Sequence, residues 1–265
     1  MFPIFYINLD RSVERNNEII NTLTSKNIVN YRVSGIDLQN IDKNALYDGV
    51  IDDIKYHVKN TQKCFGKKEI AIILSHIKCL KKIVESEYDI CVVCEDDTSF
   101  EYIDNWNETI DDIIKHAPKN WKILKLHTSI DTAIKNNIVQ YNKKINYLPL
   151  YKEALSSAGC YIIKKSSAIE LLNKYVIDNI YTFPKSDEYV VCECIIFSLD
   201  NIYIYTKPII CVRDNNSASK GGYNILDIKS NIVIHNFWNP EKKLFAVKPC
   251  IKQKILSIKD KIKNN

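Results

Sequence analysis

Asp89-Ile-Cys-Val-Val-Cys-Glu-Asp-Asp97 is the stretch on which the fold turns. From Ile90 to Cys94 every position is apolar, so neither alternation of side chains is left for water and the segment reads as a strand buried on both faces. Strands of that kind belong to α/β proteins, in which helices cover both sides of a sheet. Cys91 and Cys94 form a CxxC inside it, but residues three apart on a strand face opposite ways, so no zinc site is expected there. The strand ends abruptly in three adjacent carboxylates, Glu95, Asp96 and Asp97.

The flanking chain alternates helix and strand. Just upstream, Ile70, Ile73, Leu74, Ile77, Leu80, Ile83 and Val84 fall on one face and Lys78, Lys81, Lys82 and Glu85 on the other, which predicts a helix over 67–86. At the N-terminus, Phe2 to Ile7 reads as a strand, bounded by Asn8, Asp10 and Ser12. Val13, Ile19, Ile20 and Leu23 then recur at helical spacing. Tyr31 to Asp37 is a second strand, followed by an irregular polar stretch to about residue 62. Beyond the acidic triplet the pattern predicts a helix near 104–117, strands at Lys122–Leu126, Gly159–Ile163 and Ile202–Tyr205, and helices from Ser166 and Ser186. Such alternation implies an α/β domain with a mostly parallel central sheet flanked by helices.

With 265 residues, only six Gly and seven Pro, the chain suits one catalytic-sized domain over 1–245 and a basic amphipathic tail over 246–265. In that tail Ile251, Ile255, Ile258 and Ile262 share a face, which reads as a helix packed on the domain or, alternatively, one lying on a membrane surface or a partner. The net charge of +5 is spread among alternating Lys, Asp and Glu, so a nucleic-acid partner is not indicated. Nine cysteines in mostly apolar contexts read as small buried hydrophobes and not as a disulfide framework. No basic leader precedes the first strand and no apolar run nears the roughly 18 residues that span a bilayer. The expectation is a soluble, cytoplasmic protein without a transmembrane segment.

Ligands of open α/β sheets bind at the carboxyl ends of the strands, where the triplet falls. Three adjacent carboxylates near a low-dielectric core repel one another unless a cation shares them, and Mn²⁺ or Mg²⁺ takes carboxylate and phosphate oxygens together. An ion bridging a diphosphate would act as a Lewis acid for its departure. A solvated acidic turn is the plainer alternative. Taken alone, the triplet fits a phosphohydrolase or nucleotidyltransferase as well as a sugar transferase.

Its surroundings separate these readings. Ile7-Asn-Leu-Asp-Arg-Ser-Val-Glu-Arg15, Lys68-Glu-Ile-Ala-Ile-Ile-Leu-Ser-His76, Cys94-Glu-Asp-Asp-Thr98, Ser157-Ala-Gly-Cys-Tyr-Ile-Ile-Lys-Lys-Ser-Ser-Ala-Ile-Glu-Leu-Leu172 and Pro184-Lys-Ser-Asp187 resemble, in this order, the blocks of glycosyltransferase family 25. That family contains lipooligosaccharide and procollagen galactosyltransferases, and the resemblance covers about residues 4–240. It implies a GT-A type nucleotide-sugar-binding fold, a UDP-galactose or UDP-glucose donor, Mn²⁺ dependence, and transfer with inversion to a hydroxyl of a glycan, a lipid-linked saccharide or hydroxylysine in a collagen-like protein. Lys68 and Ala71 replace glycines usual in the second block, which leaves the donor sugar open.

Roles can then be assigned. Asp97 is the leading metal ligand, with Glu95 and Asp96 on the ribose or metal-bound water and Glu95 a second candidate ligand, since one strand end cannot aim three carboxylates at one ion. Asn8, Asp10, Arg11 and Arg15 sit where the first strand opens into a helix and are assigned to the nucleotide, although Asp10 or Ser12 can instead cap that helix. Ser75 and His76 line the donor pocket by resemblance; a histidine satisfied within the core is the alternative for His76. A Ser–His hydrolase pair is rejected because neighbours on a helix do not face each other. Asp187 is the candidate base for the acceptor's proton, or else it or Ser186 is a helix cap. His235 is a third candidate metal ligand or a structural histidine. A protein of this fold that has lost turnover and serves as a carbohydrate-binding or scaffold subunit is the competing reading.

Overall fold

The computed structural model describes residues 2–37, 48–51, 54–57, 67–182, 191–213 and 225–242. The block Pro184–Asp187, the helix expected from Ser186 and the tail over 246–265 lie outside them.

The chain begins with β1 (Ile4–Asn8), α1 (Val13–Ser25) and β2 (Asn30–Ser34), and β2 lies parallel to β1 with Ile4 opposite Asn30 and Asn8 opposite Ser34. An antiparallel pair follows, β3 (Asp48–Ile51) and β4 (Ile54–His57), and then α2 (Lys67–Glu85) leads into β5 (Ile90–Glu95). β5 returns to the far side of β1, again parallel. After it come β6 (Thr98–Ser99), α3 (Ile110–Lys115), β7 (Ile123–Lys125), α4 (Asp131–Asn142), β8 (Tyr147–Pro149), β9 (Cys160–Lys164) and α5 (Lys165–Tyr175). The last described elements are β10 (Val176–Ile177), β11 (Ile180–Thr182), α6 (Cys192–Ile196), β12 (Ile202–Tyr205), β13 (Cys211–Val212) and α7 (Ile225–Trp238).

The central sheet has seven strands in the order β2-β1-β5-β9-β7-β12-β8. β2, β1, β5, β7 and β12 run one way, and β9 and the edge strand β8 run against them. The expected mostly parallel sheet is therefore present, with an antiparallel strand inserted at its centre. β10, β11, β4 and β3 form a smaller sheet, and β6 pairs with β13.

Two cores, one on each face, hold the sheet. Phe5, Ile7, Cys91, Val93, Tyr161 and Ile163 point to the side covered by α2, α5 and α6, while Ile4, Tyr6, Val92, Cys94, Cys160 and Ile162 point to the side covered by α1 and α3. Cys91 and Cys94 are thus in different cores, as the strand alternation requires. Helix α2 buries Ile70, Ile73, Leu74, Ile77, Leu80 and Ile83, each contributing about 1.5–3 kcal/mol by leaving water.

Two departures from the sequence pattern have local causes. The helix expected over 104–117 is divided: a 3-10 turn at Ile103–Asn105 gives way to extended backbone at Trp106, and Thr109 restarts a helix through a reciprocal capping box with Asp112. Helix α4 escapes the periodicity because it buries only Ala133, Ile134 and Asn137, too narrow a stripe to register. Among the described residues, no helix is long and apolar enough to cross a membrane.

Candidate active site

The carboxyl ends of β1 and β5 lie side by side, so the polar residues following each strand meet. Asn8 closes β1 and is 1% exposed; its Nδ2 donates to Asp96 Oδ2 at 2.7 Å and its Oδ1 accepts from Arg32 Nε at 2.8 Å. Arg15, one turn into α1, donates to the other Asp96 oxygen at 2.9 Å. Burial raises the pKa of Asp96, and Arg15 and Asn8 only partly reverse that. With both oxygens occupied, Asp96 is the keystone tying α1 and β1 to the end of β5.

Its neighbours are arranged differently. Asp97, with its side chain 28% exposed, is 3.9 Å from Arg15 Nη1. Burial, followed by repulsion from Glu95 and Asp96, pushes its pKa to about 7. Asp227, at the start of α7, adds to that negative field. Glu95, with its side chain 34% exposed, faces His76 Nε2 at 3.4 Å. Burial opposes ionisation of Glu95, but the His76 contact and the nearby Lys68 ammonium prevail and hold its pKa below the ordinary value.

His76 is the buried histidine that the core alternative described: Nδ1 meets Tyr161 Oη at 3.1 Å and the ring lies along that of Tyr161, so it orients Glu95 from beneath. Ser75 is 5% exposed; its hydroxyl donates to Ala71 O at 2.6 Å and accepts from Ile36 N at 2.8 Å. That hydroxyl ties the exit of β2 to α2.

Asp10 and Arg11 stand on the exposed flank. Asp10 accepts from Arg32 Nη2 at 2.5 Å and Ser34 Oγ at 2.9 Å, and the Arg32 bond holds its pKa below the usual range. Arg11 pairs with Asp37. Ser12 makes no side-chain cap on α1, and Asp10 turns to Arg32 and Ser34, so the capping alternative is not realised by Ser12. His235 lies on α7 with Nδ1 2.9 Å from Tyr102 Oη. Among the described residues, no three His, Cys, Asp or Glu side chains stand together as a metal-ligand group. Asp187 lies outside the described residues.

The structure adds groups that the sequence reading missed. Arg32 was hidden in an edge strand, yet it grips both Asn8 and Asp10. Across β9 from β5, Lys125 of β7 is wholly buried, its pKa pushed down to about 7 by burial against the opposing pull of Glu193. His127, also buried, is held neutral by burial, its pKa pushed down to about 3. A lysine inside the apolar run Ile123-Leu-Lys-Leu126 was the available signal.

The assembled site is an acidic corner with one carboxylate, Asp96, locked by cation and amide, and two, Glu95 and Asp97, part exposed. Residues 1–187 match the family model described as Glycosyltransferase family 25 (LPS biosynthesis protein). No curated protein matches the chain.

Proposed function

The chain belongs to glycosyltransferase family 25, and from that premise we propose that it transfers galactose or glucose from a UDP-sugar to a hydroxyl of a glycan, a lipid-linked saccharide or hydroxylysine, with inversion and with help from a divalent ion. The observation that carries this reading is the acidic corner at the carboxyl end of β5. Asp97 there is crowded by two carboxylates, its pKa pushed to about 7, the environment that an added cation relieves.

The donor set suits a hard ion. Mg²⁺ and its relatives bind through one or two carboxylates plus substrate phosphates, so Asp97 and Glu95 suffice without a third protein ligand. When bound, Mn²⁺ or Mg²⁺ would supply Lewis-acid neutralisation of the charge on the departing diphosphate. The protein's own groups do the rest. Arg15 and Asn8 fix Asp96 and hence the turn that presents Asp97, and His76 keeps Glu95 ionised and aimed. The acceptor oxygen bonds to the anomeric carbon from the face opposite the diphosphate, the sugar–oxygen bond breaks with its electron pair leaving on UDP, and the acceptor proton passes to a carboxylate assigned here to Asp187.

The test is UDP release by the purified full chain, across UDP-sugars and saccharide acceptors, with and without Mn²⁺. Metal-stimulated release with UDP-galactose or UDP-glucose is expected, and Asp187→Asn should retain donor binding while lowering turnover about 100-fold or more. Binding of UDP and Mn²⁺ without release for any pair would point instead to a non-catalytic carbohydrate-binding subunit. A normal bound-state rate in Asp187→Asn would remove that residue from the role.

A further inference from the structure

A buried amine is tolerated only when its donors are satisfied. Lys125, 0% exposed in the middle of the sheet, donates from Nζ to Leu155 O at 3.1 Å and to Ser157 O, and lies 4.4 Å from the centre of the Phe197 ring. Drawing two carbonyls that are two residues apart onto one nitrogen bends the chain between and beyond them. Ser157 adopts φ 74°, a left-handed conformation unfavourable for a side chain with a Cβ.

The remaining polar atoms of Ser157 are all engaged. Its N–H donates to Glu193 Oε1 at 2.6 Å, its Oγ accepts from Gly159 N at 3.0 Å, and His127 Nδ1 lies 3.2 Å from that Oγ. Gly159 O then accepts from Glu95 N and from Thr98 Oγ1, both at 2.9 Å. The path from Lys125 is continuous: ammonium, Ser157, Gly159, and then the two residues that bracket Asp96 and Asp97.

We propose that Lys125 is a positioning residue: by gathering the Leu155 and Ser157 carbonyls it holds the 155–159 loop in its strained form, and through Gly159 it sets the backbone on which the acidic corner is mounted. It acts through the loop and touches no substrate. An amine has the two N–H donors these carbonyls take whether it is charged or neutral, so the hub does not depend on one protonation state. Its consequence for metal and nucleotide rests on the donor-site reading of the corner given above.

Lys125→Met tests this, because it keeps an unbranched side chain one atom shorter and deletes the donors. Two measurements on the full chain are needed: amide hydrogen exchange by segment, and the dissociation constant for UDP with Mn²⁺. Exchange at 155–159 and at 95–98 should rise about tenfold or more while β1 and α2 keep their protection, and the UDP–Mn²⁺ dissociation constant should weaken about tenfold. Wild-type protection at 95–98 in a folded Lys125→Met variant overturns the proposal. Should that variant fail to fold, Ser157→Ala removes only the Oγ links to Gly159 and His127; it should speed exchange at 95–98 about threefold, and unchanged protection there overturns the proposal equally. Failure of the wild-type chain to bind UDP with Mn²⁺ sinks the donor-site reading alone, since the exchange comparison still decides whether Lys125 holds the corner.

Discussion

The acidic corner after β5 and the Lys125 pocket on β7 both put charge near the carboxyl edge of the same sheet, with only β9 between them, yet they are built on opposite terms. Lys125 is saturated: two carbonyls and an aromatic face enclose it. Asp97 faces two other carboxylates across a partly open surface, with Arg15 at 3.9 Å already bonded to Asp96 at 2.9 Å. A charge serving the fold is compensated within the fold, whereas Asp97 is left crowded by charges of its own sign. Asp96 repeats the lesson beside Asp97, for neighbouring aspartates divide into one locked and one open.

The sharpest way to break the comparison is to delete the open charge. Asp97→Ala should lower metal-stimulated transfer about a thousandfold, equivalent to about 4 kcal/mol, while the melting temperature holds or rises. Unchanged turnover with unchanged metal dependence would make Asp97 an ordinary surface carboxylate.

The next effect is thermodynamic and needs no substrate. A carboxyl whose pKa is raised from 3.8 to about 7 binds a proton more tightly when folded, so its contribution is greatest below about pH 4 and is lost as pH climbs towards 7. The metal-free protein should therefore lose stability from Asp97 across that window, and Asp97→Asn should flatten the loss. Thermal melts of both proteins from pH 4 to 8, with and without Mn²⁺, measure it; Mn²⁺ should restore stability to the wild type most at the upper end. Parallel curves for the two proteins would show that Asp97 is not under strain.

The smallest effect concerns the bridge between the two regions. A Cβ on Gly159 would stand 3.0 Å from Ser157 Oγ and 3.9 Å from His127 Nδ1. Gly159→Ala should push the loop by a few tenths of an ångström and weaken UDP–Mn²⁺ affinity about threefold, at a cost of about 1 kcal/mol in stability. An affinity at the wild-type value would mean that the loop and the corner are mechanically independent.

Much of this architecture is written locally. The buried strand at Ile90–Glu95, the amphipathic α2, the opening strand and helix, and the acidic triplet are all readable from hydrophobic period and its abrupt end, because burial on one or two faces imposes that period directly. Direction is not written that way. The segment Cys160–Lys164 is apolar on both alternations, a pattern equal in either sense, so its antiparallel insertion between β5 and β7 follows only from how the chain enters it. The site divides along the same line. Residue types and the family resemblance picked out Asn8, Asp10, Arg11 and Arg15 at one strand end and Glu95–Asp97 at another, but partner choice joins residues as far apart as Arg15 and Asp96 and is a matter of three-dimensional distance. Folding alone turned Ser75 into a strut, sent His235 to Tyr102, and made Lys125 a hub. The amino-acid sequence by itself determined which segments are buried and where the carboxylates gather, since those depend on each residue's own affinity for water. Only the tertiary structure decided which charges are satisfied and which are left open, since that depends on what the rest of the chain brings within about 3 Å.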